Sequence, residues 1–300
     1  MRRLRRNEEG NWQLMGLRLD RLATLYVSDP IGKHLRLRRA SIPILMYHSI
    51  SEGSQAGINP YYQTTTTPEI FAEQMAYLGE NGYATINPAE AAGELGGKAE
   101  ASSKKVVITF DDGYLDFYTD AFPVLERFGF GATVYLPTAY VGESRASFKG
   151  KPCLTWSEVR ELQGRGIEFG SHTVTHPQLY DLGSEVIEEE VMRSRQTIER
   201  KLGCVVESFA YPYAFPEPDA AFKRRLRETL RQAGYRNGVC TTIGRPDARS
   251  DVFFMERLPI NSGDDLSLFR AKLEGAYDWL AKPQYLVKKA KSWAGSTNGR

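Results

Sequence analysis

Cysteine is scarce in this chain: Cys153, Cys204 and Cys240 are the only three, far apart and without a CxxC pair. That leaves no disulfide framework and no thiolate zinc knuckle, and predicts three small apolar side chains in a reducing compartment. Long apolar runs are missing too; none approaches the roughly 18 residues of a membrane-spanning helix. Neither GxGxxG nor the GxxxxGK loop occurs, which argues against nucleotide enzymes that cradle phosphate on those turns. Charge of one sign is not in excess: 39 Lys and Arg face 37 Asp and Glu, too even for a dedicated nucleic-acid binder. The start, Met1-Arg2-Arg3-Leu4-Arg5-Arg6, is basic but is followed by no apolar stretch or small-residue cleavage site of a secretory leader. A cytoplasmic location is expected.

What remains is ordinary globular composition, 41% hydrophobic and 25% charged over 300 residues, enough for a sizeable core. Charge is unevenly spread, with ten basic and four acidic side chains in residues 1–40 and a net negative remainder. Leu14, Leu17, Leu22 and Leu25 lie near helical spacing there, with Arg18, Asp20 and Arg21 between them and Pro30 after them. The spacing predicts a short basic amphipathic helix, either docked on the main domain or resting weakly on an anionic membrane surface.

From Ser41 onward, strand and helix patterns alternate. Apolar, β-rich runs cover Ile42–His48, Val106–Phe110, Ala132–Leu136, Ile167–Phe169, Val205–Ala210 and Val239–Ile243. Helical patterns lie between them. Thr67-Pro68 opens one that carries Phe71, Met75 and Leu78, and Asn87-Pro88-Ala89-Glu90 opens another as a capping box. Later ones carry Phe122, Leu125 and Phe128, then Trp156 to Leu162, Ile187 to Leu202, and Phe222 to Leu230. Leu266, Phe269 and Leu273 mark the last. Such repeated units favour an α/β fold with a parallel sheet, open or closed into a barrel. We divide the chain into a basic extension (1–40), one domain (41–285) and a polar tail (286–300) expected to fray.

In parallel α/β folds, reactive side chains gather at the carboxyl edge of the sheet. Asp111 and Asp112 follow the run ending at Phe110, His172 and His176 follow the run through Phe169, Tyr211-Pro212-Tyr213 follows Ala210, and His48 closes the first run. Each has a plain alternative. Asp-Asp-Gly is common turn chemistry, and a lone histidine is often just a satisfied buried side chain. The combination points further, because three of only four histidines fall at strand ends. Two imidazoles and a carboxylate make a three-ligand hydrolytic metal site, and a neighbouring carboxylate provides a base for water. Which aspartate plays which part stays open on this reasoning.

Thr109-Phe110-Asp111-Asp112-Gly113 and Ser171-His172-Thr173-Val174-Thr175-His176-Pro177 closely resemble the motifs of the polysaccharide deacetylases, the carbohydrate esterases with a NodB-homology domain. Pro43 to Ile50 and Phe209-Ala210-Tyr211-Pro212-Tyr213 resemble the exopolysaccharide-associated branch, and the likeness spans about residues 41–260. It implies a distorted (β/α) barrel of about seven parallel strands that removes N-acetyl groups from amino-sugar polymers or oligosaccharides. It assigns Asp111 as general base and Asp112, His172 and His176 as ligands of one divalent ion. Zinc is the first choice, and iron, cobalt or manganese also suit such a set. The stretch at Pro212 and Tyr213 would line the groove, a backbone N–H holding the oxyanion.

Two departures stand out. Ala210 occupies a position where many members carry arginine, and no histidine follows His176 to serve as the family's late general acid. Arg257 is the candidate to cover the first by pairing with Asp111, its plain alternative being a surface salt bridge. His48 is the candidate to replace the missing acid, since histidine titrates near working pH. His34, in the basic leader, is expected to lie outside the barrel. Tyr61, Tyr62, Tyr114 and Tyr213 are candidates for stacking on sugar. A small-molecule amide or imide hydrolase on the same barrel, or an inactive sugar-binding relative, are the competing readings.

Overall fold

The computed structural model describes residues 18–35, 41–52, 58, 60–96 and 104–297. Seven short strands, mostly buried on both faces, run parallel: β1 (Ile44–Tyr47), β2 (Lys105–Phe110), β3 (Thr133–Leu136), β4 (Glu168–Ser171), β5 (Ser208–Ala210), β6 (Asn237–Ile243) and β7 (Met255–Pro259). They pair in chain order, and β1 bonds to both β2 and β7, so the sheet closes into a barrel. An edge strand, Ala84–Thr85, extends the start of β2. A parallel strand covered on both sides reads as a continuous apolar run, which is why Val106–Phe110 was legible as one.

Helices cover the outside, and the main core fills the layer between them and the strands. A smaller cluster fills the barrel itself, with Ile44, Val107, Tyr135, Ala210, Val239 and Met255 among its members. Side chains alternate along a strand, so two or four residues further on the same side faces the same interior. His48, Asp111, Thr241 and Arg257 stand on this inward register at the carboxyl edge. Gly170 shares it on β4, where a Cβ would lie 2.4 Å from the Tyr135 ring and 2.9 Å from the Ser208 carbonyl.

The expected helices are present, including Pro68–Glu80 capped by Thr67, Trp156–Gly164 with a Thr155–Glu158 capping box, and Ser184–Leu202. Asn87 and Glu90 cap Pro88–Gly96 reciprocally. Other expectations need correction. The N-terminal helix does not stop before Pro30: Leu19–Ala23, a π-helical turn at Thr24–Ser28 and Asp29–Leu35 form one continuous run. The wider turn, with Asp29 N–H reaching Thr24 O, carries the helix past a proline that has no N–H to give. Leu14 and Leu17 lie outside the described residues. The polar tail does not fray at Lys288, because helix Ala281–Thr297 runs through it. Cys153 and Cys240 are buried as expected, but Cys204 is exposed after the C-cap of Ser184–Leu202. Strand β7 and a hairpin, Ser147–Phe148 with Lys151–Pro152, have no counterpart among the expected elements.

Candidate active site

The turn after β2 begins the site. Asp112 takes φ 71° and Gly113 φ 60°, a left-handed pair that turns the chain sharply and directs both carboxylates over the barrel mouth. A side chain at Gly113 would also meet Leu136 at 2.9 Å. His172 follows β4, and the loop to His176 is held by Glu190 on helix Ser184–Leu202. Glu190 accepts from the backbone N–H of Val174 (2.8 Å) and Thr175 (2.9 Å) and from the Thr175 hydroxyl. Thr173 Oγ1 accepts from His176 N–H at 3.0 Å. Among the described residues, five non-glycines have positive φ: Asp112, Lys149, Thr173, His176 and Tyr213. Four of them line one cleft and the fifth joins the two histidines, so the backbone strain of the molecule is gathered at this site.

His172 Nε2 lies 3.7 Å and His176 Nε2 3.3 Å from Asp112 Oδ1, and one ligand atom from each of the three buried residues lies within 4.8 Å of the others. His172 Nδ1 bonds the Ala210 carbonyl oxygen at 2.8 Å, which fixes the ring and leaves Nε2 as its ligand atom. Asp112 Oδ1 is buried without a hydrogen-bond partner, while Oδ2 accepts from Tyr114 Oη at 2.9 Å. A buried carboxylate oxygen without a donor is costly unless a cation meets it. Two imidazoles and one carboxylate therefore fit a divalent ion. Burial lowers the His172 imidazole to about 4, partly offset by Asp111, so it is neutral and able to ligate near neutral pH. For Asp112 burial acts upward, but His176, His48 and His172 outweigh it and hold the carboxyl well below its ordinary value.

Asp111 makes a two-pronged ion pair with Arg257, Nη1 to Oδ1 and Nη2 to Oδ2 both at 2.7 Å, with the guanidinium fully buried. Arg257 also donates to Cys240 O and Thr109 Oγ1. The pair is interior, so the surface salt-bridge reading of Arg257 is overturned. Burial pushes the Asp111 carboxyl up, and the guanidinium more than reverses it, keeping it ionised below its usual range. His48 Nε2 stands 3.9 Å from Asp111 Oδ2. Burial lowers its imidazole below the usual value despite Asp111 and Asp112.

The cleft holds about 260 Å³ and is lined by His48, Asp111, Asp112, His172, His176 and Tyr213, with Thr64, Thr241 and Tyr211 at its walls. Tyr114 and Tyr213 thus belong to it. Tyr61 and Tyr62 meet edge to face outside it, Tyr61 bonded to Gln284. His34 is exposed on the N-terminal helix, away from the cleft. The hairpin adds residues that the sequence reading did not single out. Lys149 Nζ lies 3.6 Å from Asp112 Oδ2 and 4.6 and 5.2 Å from the centres of the Phe148 and Tyr213 rings. Lys151 reaches Ser49 and Ser51. The short Lys149-Gly150 turn was the available signal.

Comparison with known proteins gives a consistent result. A family model described as polysaccharide deacetylase matches residues 98–238. YxkH of Bacillus subtilis (strain 168), named for the same family, is 32% identical over 78% of this chain and 77% of its own length. The poly-β-1,6-N-acetyl-D-glucosamine N-deacetylase of Escherichia coli (strain K12) is 37% identical over 111 residues, 34% of this chain but only 16% of that protein. Among solved structures, the Streptococcus pyogenes deacetylase PplD, in complex with acetate, superposes with a TM-score of 0.68 at 26% identity. That match covers 78% of this chain and 98% of PplD. On its sequence, its closed seven-strand barrel and these relatives, the chain belongs to the polysaccharide deacetylase family.

Proposed function

We propose that residues 41–285 form a metal-dependent deacetylase that removes N-acetyl groups from N-acetylhexosamine units of a polysaccharide or its precursor. The observation that carries this is the meeting of Asp112, His172 and His176 beside the buried Asp111–Arg257 pair in one cleft. Asp112, His172 and His176 would hold one divalent ion, zinc by first choice, with iron, cobalt or manganese also suited to the set. When bound, the ion supplies Lewis-acid polarisation of the amide carbonyl and makes water more acidic. The name of the Escherichia coli relative supports a β-linked N-acetylglucosamine polymer as the substrate class.

Asp111 is the base that takes the proton from the attacking water. Arg257 keeps it ionised and fixes both oxygens, so the carboxylate needs no rearrangement to act. The backbone N–H groups at Pro212–Tyr213 can contribute only through Tyr213, since proline has none, and Tyr213 N–H is our oxyanion donor. His48 is the acid for the departing amine. It is neutral at neutral pH, so the proton it gives must first reach it, and Asp111 Oδ2 at 3.9 Å is the nearest carboxylate source.

Acetate release from N-acetylglucosamine oligomers, with and without chelator, tests this reading. Release that stops on chelation and returns with a divalent ion supports it. No release from any amino-sugar polymer refutes it, and turnover of small amides alone transfers the site to the small-molecule class. His48→Ala should keep fold and bound metal yet lose about 10²–10⁴-fold in turnover. Normal turnover in that variant removes His48 from the mechanism.

A further inference from the structure

The N-terminal helical run is seated with its polar side inward. Arg18 bonds Asp20 and Asp264, Asp20 accepts from Tyr277 Oη at 2.7 Å, Trp279 Nε1 donates to Thr24 Oγ1 at 3.0 Å, and Arg21 pairs with Asp265 at 2.5 Å. Its large apolar side chains face out: Leu19 is 67% exposed, Leu22 40%, Tyr26 71%, Val27 55% and Ile31 50%. A helix docked for stability presents its apolar stripe to the core, so this arrangement is the reverse of the ordinary one. Val27 and Ile31 also edge a groove against Trp279 and Lys282, and exposed apolar side chains gathered along one helical run mark a surface that meets something else.

Charge indicates what that is. Arg2, Arg3, Arg5 and Arg6 precede the run and Arg36, Arg38 and Arg39 follow it. Residues 1–40 hold ten basic against four acidic side chains, while the remainder is net negative. An exposed apolar face whose neighbouring sequence is rich in arginine has the composition that suits an anionic bilayer surface, where apolar side chains enter the acyl boundary and basic residues favour the phosphates. We infer that the exposed face of residues 19–31 is a docking surface for an anionic lipid bilayer.

The seating of the helix gives this a geometric meaning. Arg18 binds the loop after β7, and that loop is tied to the cleft rim through Asn261 to Gln63 O at 3.1 Å and Ser262 N–H to Thr65 O at 3.0 Å. Thr64, between those two acceptors, lines the cleft. A bilayer held on the helix is therefore one loop away from the site. The inference does not depend on the proposed chemistry.

Co-sedimentation of the full chain with phosphatidylglycerol–phosphatidylcholine vesicles, against pure phosphatidylcholine, tests it. Binding to the anionic vesicles should be at least about tenfold tighter and weaken with salt. The Leu22→Ser, Tyr26→Ser, Val27→Ser triple variant should lose about tenfold or more of that binding, with its circular dichroism and melting temperature unchanged. Three results would overturn the inference. They are no binding to anionic vesicles, equal binding by the triple variant, and a solution dimer that the triple variant converts to monomer.

Discussion

Removing the guanidinium of Arg257 leaves the Asp111 carboxylate buried without its partner. Breaking such a pair from one side typically costs about 3–5 kcal/mol, so Arg257→Met should lower stability by that order in urea unfolding. Adding Asp111→Leu to it should restore much of the loss, because no charge then remains buried. A recovery of zero would mean that the arginine acts through packing alone. A second residue-scale outcome concerns pH. With His172 near 4 in the folded chain and about 6.5 unfolded, the unfolded chain binds more protons between those values. The metal-free protein should therefore lose stability as pH falls from about 6.5 towards 4, and His172→Gln should flatten that part of the profile of melting temperature against pH. The aspartates and histidines were legible in sequence because their spacing after apolar runs places them at strand ends. Arg257 was legible only as a candidate, since nothing in Met255-Glu256-Arg257-Leu258 tells a buried ion pair from an exposed one. For Lys149 the sequence offered only a Lys149-Gly150 turn, and nothing in it showed which part of the chain that turn would fold over.

Loops position Asp112, His172 and His176, but the elements behind them set the loops. Glu190, on the inner turn of helix Ser184–Leu202, accepts three hydrogen bonds from the segment that carries His176. Glu190→Ala should leave the fold intact and weaken metal affinity by about 10–100-fold, measured by competition with a chelating dye. An unchanged affinity would show that the left-handed backbone at Thr173 and His176 holds the loop without help. On β4, Gly170→Ala introduces a Cβ against Tyr135 and the Ser208 carbonyl, and overpacking of this kind costs about 1–3 kcal/mol. Helices were the easiest elements to read, because caps such as Asn87 with Glu90 sit at fixed offsets from the apolar stripe. The strand hardest to read was β7. Its inward positions are Met255 and Arg257, so a charged residue occupies a place where the pattern demands an apolar one. The π-turn at Thr24–Ser28 was equally hidden, for a proline in sequence signals a stop, and the wider turn that evades it has no signature of its own.

At the scale of the molecule, the proposed three-ligand site would couple metal binding to stability by mass action. An ion that binds only the folded chain, present at a hundred times its Kd, should add about 2.7 kcal/mol, so the melting temperature should rise with added metal and fall on chelation. A melting temperature indifferent to every divalent ion would argue that the cluster holds none. The closed ring has a different consequence, one of order in time. Because β1 must bond to β7, with Leu45 beside Leu258, the ring cannot shut until nearly the whole chain is available. A growing chain on the ribosome holds an open sheet whose two raw edges invite pairing with any other strand. During that interval Asp111 has no counter-charge, since its arginine has yet to be synthesised. Closure joins Leu45 to Leu258, far apart in the sequence, at an entropic cost that predicts a slow final folding step. The Asp111–Arg257 pair and the last barrel strand are thus completed in a single event, so the proposed chemistry would stay silent in the nascent chain until the barrel is mechanically finished.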